Sequence, residues 1–163
     1  MSGSMAHLHV TFAVLALAFG VGIFVTRRGT PSHRRLGYCY VACMAVTNAG
    51  ALSLYARTGE FGPFHLAALI SLATLVAGIL PAILRRPRGG WLKLHWEFMS
   101  WSFVGLVAAT VAEAAFRIPN VAYWPSIVAG SILVCLSGGV LIYKSRGAMR
   151  QFIRVRSETT GDP

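Results

Sequence analysis

Five histidines and one carboxylate carry most of the chemistry this sequence can offer: His7, His9, His33, His65, His95 and Glu113. The histidines fall at or near the ends of apolar runs. Imidazole nitrogens at such places can ligate a metal ion or the iron of a haem. On the first run, His9 leads a stripe of Ala13, Ala16 and Gly20, small residues of the kind that pack helices in lipid. His7 lies about 200° around the helix from it, so His9 is the better inward candidate and His7 binds, if at all, from the helix end. On the fourth run, His95 and Glu113 are 18 residues apart, roughly five turns, so they share one face about 27 Å apart. Met99 and Ser102 lie near the same stripe, which is expected to look into the bundle. An ionisable residue within an apolar span marks a functional-site hypothesis by default. The competing role for Glu113 is a simple pair with Arg117, and Glu97 is expected to meet headgroups or the basic loops.

Two clusters follow. At one mouth His9, His65 and Glu113, with His7, offer nitrogen and oxygen ligands that can hold Zn²⁺ or another divalent metal and leave a position open. At the other mouth His33 and His95 can serve as axial haem ligands. Catalytic residues are not assignable from these patterns. The bland alternatives are plain: an interfacial histidine can be a wet boundary residue, and His33 stands in a basic SHRRLG stretch suited to a phosphate or headgroup.

The elements that must position these groups are set by composition. Of 163 residues, 55% are hydrophobic and 12% charged, with mean hydropathy +0.61. A soluble domain carries about 25% charged residues, so a soluble enzyme, a disordered chain and a disulfide-stapled domain are excluded. About 20 apolar residues cross the hydrocarbon core as a helix, and five segments qualify: 8–25, 36–56, 61–84, 94–116 and 121–143. The expected fold is all-α, a polytopic membrane helix bundle. A single transmembrane domain occupies 1–156 and a disordered tail 157–163. The links are short, which predicts antiparallel neighbours in an up-down bundle. The start lacks a positive n-region and a cleavage site and reads as a retained helix.

Thirteen Lys and Arg lie in the 27–35 and 85–93 links and after residue 143, against Arg57 and Arg117 on the other side. That asymmetry predicts the amino terminus outside and the carboxyl terminus cytoplasmic, in the cell inner (plasma) membrane. The +10 net charge is thus a membrane address, and no nucleic acid partner is implied. His9, His65, His7 and Glu113 then lie at the outer mouth and His33 and His95 at the inner one.

Spans one–two and three–four share a layout, with a His near the start, a basic link and a second His, although no internal repeat is evident. Ser126, Gly130 and Gly138, with Ser131, Cys135 and Gly139 beside them, read as packing stripes of span five. Cys39, Cys43 and Cys135 read as small apolar residues. Asn48 is placed to hydrogen-bond between helices. Trp96, Trp101, Trp124, Tyr38, Tyr40, Tyr123 and Tyr143 read as an interfacial aromatic belt.

The segments HLHVTFAVLALAFG, GTPSHRRLGYCYVACM, FGPFHLAALISLATL and LHWEFMSWSFVGLVAA resemble the bacterial membrane proteins grouped as domain of unknown function 2306 (DUF2306). The resemblance covers roughly residues 7–117 and rests on the HR-x-LG-x-x-Y stretch and a His at each of four helix starts. It implies that His9, His33, His65 and His95 form one recurring set, with no reaction attached. A looser similarity is to cytochrome b561-type proteins, which hold two haems between four helices. It implies pairing of His9 with His65 and of His33 with His95, although these histidines sit nearer the helix ends than haem ligands usually do, and no ascorbate-site motif is present.

The preferred functional expectation is a b-type haem protein for electron transport, working between a quinol, quinone or small reductant and an acceptor. The alternatives are a zinc- or metal-binding membrane protein or hydrolase at the outer site, and a non-catalytic subunit that binds a homo-oligomeric or other membrane partner. No nucleophile elbow, phosphate loop or dinucleotide fingerprint is present.

Overall fold

A computed structural model of the chain describes residues 3–58, 63–115 and 123–160. They form five helices: α1 Gly3–Val25, α2 Pro31–Thr58, α3 Pro63–Leu84, α4 Trp91–Ala115 and α5 Tyr123–Thr160. All five are long and apolar enough to cross a membrane, and no strand occurs among the described residues. The segment that would hold Gly59 and Glu60, and Arg117 beyond α4, lies outside the described residues.

Within the stretch anticipated as one domain the chain forms two compact units, Met1–Leu75 and Val76–Pro163. In the first, α1 packs on α2. Tyr40, Cys43, Met44, Thr47 and Asn48 are buried at the i, i+3, i+4 spacing of a single helical face. Ala16, which has no exposed surface, and Gly20 are buried on α1. Asn48 Nδ2 donates to Ser71 Oγ on α3 at 3.2 Å, the interhelical bond expected of it. Tyr40 is a core residue at 1% exposure rather than a belt residue, because its position completes this α2 face. Tyr38 and Tyr143 are exposed, and the side chains of Tyr123 and Trp124 lie outside the described residues.

In the second unit α4 packs on α5. A Cβ on Gly130 would lie 3.2 Å from Val111, one on Gly138 2.5 Å from Val104, and one on Gly139 3.3 Å from Trp101. The span-five glycines therefore bring α5 close to α4 of the same chain. Each step down α4 is matched by a step up α5, as antiparallel helices require. Leu133, Leu136 and Leu141 face outward, each at least 65% exposed, which suits a hydrocarbon solvent and no other.

Most expected ends fall within five residues of those observed, and α5 is the exception. It continues 17 residues past Tyr143 to Thr160, including residues 157–160 of the stretch expected to be disordered. Lys and Arg lower hydropathy yet are good helix formers, so the helix outlasts the apolar span.

Candidate functional site

The α1–α2 link shows how one histidine is placed. Gly29 takes a φ of 79°, a left-handed conformation that costs glycine nothing. Thr30 then caps α2: its Oγ1 accepts from the His33 N–H at 3.2 Å and donates to the Arg27 carbonyl at 2.8 Å. Pro31 occupies the first helical position, where a missing N–H does no harm. His33 is consequently a half-buried residue of the first turn of α2 and not part of a loop.

His9 is half-buried on α1. Its Nδ1 lies 3.1 Å from the main-chain carbonyl of Thr47 on α2. A carbonyl can only accept, so Nδ1 is the donor, and in the neutral imidazole Nε2 is the nitrogen with the lone pair. Gly50, almost one turn on, leaves room for the ring: a Cβ there would stand 3.4 Å from His9 Nδ1. His7 is exposed. His65, on α3 in the same unit as His9, is buried at 9% exposure.

His95 repeats the arrangement in the second unit. Its Nδ1 donates to the Gly78 carbonyl of α3 at 2.8 Å. Met99, one turn on, covers the glycine, with Sδ 2.8 Å and backbone N 3.1 Å from where a Cβ would stand. Pro81 lies three residues beyond Gly78 inside α3 and withholds the N–H that would bond the Ala77 carbonyl, a known cause of helix bending.

Glu113 does not look into the bundle as expected; it is exposed. It shares the phase of His95 and stands in the last turn of α4, where the neighbouring Ala112, at 3% exposure, takes the covered face instead. Glu97 is ion-paired to Arg146 of α5 at 3.2 Å, a partner from the basic segment after span five. The three cysteines are free thiols, with Cys43 buried and Cys39 and Cys135 exposed.

His9 and His65 lie in the first unit, with His7 and His33; His95 and Glu113 lie in the second. Among the described residues no three His, Cys, Asp or Glu side chains converge into a group able to hold a metal ion. Two features escaped the sequence reading. One is the pair of carbonyls, on Thr47 and Gly78, that hold the imidazoles; a main-chain acceptor leaves no residue-type signal. The other is the identity of the Glu97 partner, Arg146, which the expectation of a basic-loop contact left open.

No curated protein and no solved structure matches the chain. The family model described as "Predicted membrane protein (DUF2306)" matches residues 6–144. With five membrane-capable helices and a match over most of its length, the chain belongs to the DUF2306 family of membrane proteins.

Proposed function

We propose that the protein is a b-type haem electron carrier of the membrane, in which His9 and His65 of the first unit would hold the haem. One observation carries the reading. At both His9 and His95 the Nδ1–H is tied to a main-chain carbonyl of a neighbouring helix. Metal-ligating histidines almost always donate their other ring N–H in this way, which fixes the tautomer and raises ligand basicity. Nε2 is then the nitrogen left to bind.

The donor chemistry and burial suit the group. His65 is buried and His9 half-buried, so the low dielectric that tunes a haem is available to both. The pair needs only two donors, whereas zinc with an open position needs three, and His7, His9, His65 and Glu113 are drawn from both units. His95 offers a second oriented nitrogen in the other unit. Bound haem would supply a one-electron couple whose potential follows ligand and burial. The chain's own residues would orient the imidazoles, present Nε2 and exclude water. The thirteen-to-two bias of basic residues supports a cytoplasmic carboxyl terminus in the inner membrane.

The test is an absorption spectrum of detergent-purified protein after haem reconstitution. A Soret band is expected, lost in His9→Ala and His65→Ala and retained in His7→Ala. No Soret band in the wild type rejects the reading.

A further inference from the structure

The basic end of α5 builds a site that the histidines do not use. On α4, Lys93, Trp96 and Glu97 fall at i, i+3 and i+4, on one face of its first two turns. On α5, Arg146, Met149, Arg150 and Ile153 fall at i, i+3, i+4 and i+7. Together they line a pocket of about 250 Å³. Met149 is buried at 3% exposure, so the extension beyond the apolar span is packed on its own unit and does not trail free.

The pocket joins two chemistries. Its lining holds three cations against one carboxylate. Glu97 is already matched by Arg146 at 3.2 Å, which fixes that guanidinium and leaves donors to spare, since arginine carries five N–H groups. Lys93 and Arg150 are then uncompensated within the lining, and both are exposed. Met149, Trp96 and Ile153 supply apolar surface beside these charges. The positive pole of the 25-residue α4 lies at the same end and favours an anion further.

Location narrows the ligand. The apolar stretch of α5 closes at about Tyr143, and Arg146 follows three residues later. The pocket is therefore at the depth where a helix leaves hydrocarbon for headgroups. Its volume falls a little below the roughly 300–1,000 Å³ of drug-sized sites, as suits a headgroup.

We propose that Lys93, Arg146 and Arg150 form a phosphate-binding site between the first turns of α4 and the extension of α5, occupied by the phosphate of an anionic phospholipid. Free phosphate shares that chemistry, and the test separates the two sources.

The full-length protein, purified in detergent, is titrated with phosphatidylglycerol, with phosphatidylcholine and with inorganic phosphate, and binding is read by native mass spectrometry and thermal unfolding. Phosphatidylglycerol is expected to bind and raise the melting temperature, with phosphatidylcholine far weaker. The double variant Lys93→Gln/Arg150→Gln should bind phosphatidylglycerol roughly thirtyfold more weakly, since each basic group near an anionic surface contributes about fivefold. The control Lys144→Gln/Arg154→Gln removes the same charge outside the pocket and should lose much less. Saturation by inorganic phosphate alone, with the same variant sensitivity, supports the site with free phosphate as its source. Equal losses in the two double variants, or equal binding of the two lipids, overturns the proposal. Unchanged melting of both ligand-free variants verifies that the losses are not failures to fold.

Discussion

His9 on the Thr47 carbonyl and His95 on the Gly78 carbonyl perform the same act in different units, and they depend on the sequence in different ways. In the first, the glycine stands beside the bond, and a Cβ on Gly50 would meet His9 at an ordinary 3.4 Å. In the second, the glycine is itself the acceptor residue, and its missing side chain is what admits Met99, whose Sδ lies 2.8 Å from where a Cβ would stand. One contact is permitted by a side chain's reach; the other is permitted by backbone proximity. An imidazole can thus be oriented either way, but only the second route ties its geometry to helix packing.

Substitutions can break this contrast. The largest effect is expected at Gly78→Ala, where the new Cβ would lie 3.1 Å from the Met99 backbone N as well as against its flexible side chain. Overpacking of that kind costs about 1–3 kcal/mol, and thermal unfolding in detergent should show it. An unchanged melting temperature would remove the distinction between the two contacts. His95→Leu comes next, with a loss of up to about 1.7 kcal/mol, and His9→Leu nearer 0.6 kcal/mol, the span of interhelical bonds measured in membranes. Equal losses would mean that the shorter 2.8 Å bond carries no extra weight. Asn48→Ala should cost about 0.6 kcal/mol, and a double-mutant cycle with Ser71→Ala should return that value as coupling. The smallest change is expected at Gly50→Ala, within about 0.5 kcal/mol of zero, because the gain in helix propensity offsets a mild contact.

The five helices were legible because hydrocarbon thickness imposes a length on any apolar run. The position of His33 in a helix was less so, since SHRRLG is basic and reads as a link; the Thr30 cap and Pro31 settle it locally. His9 over His7 followed from phase alone, and the half-buried and exposed positions of the two agree with it. Phase misled at Glu113, because sharing a face with His95 says nothing about whether a neighbour still covers that face five turns later. The overshoot of α5 was hidden for a related reason: hydropathy reports the preference for lipid, and helix formation in the Lys- and Arg-rich segment depends on propensity and on packing of Met149.

The sequence by itself determined that this chain is a membrane protein of five apolar helices, since the balance of apolar to charged residues admits no other solvent. It also singled out the imidazoles as candidate ligands. Only the tertiary structure decided which nitrogen of His9 and His95 is engaged, and which cations share a pocket with Glu97. Those outcomes rest on a carbonyl or a side chain from another helix, and distances between helices are set by packing that no single segment encodes.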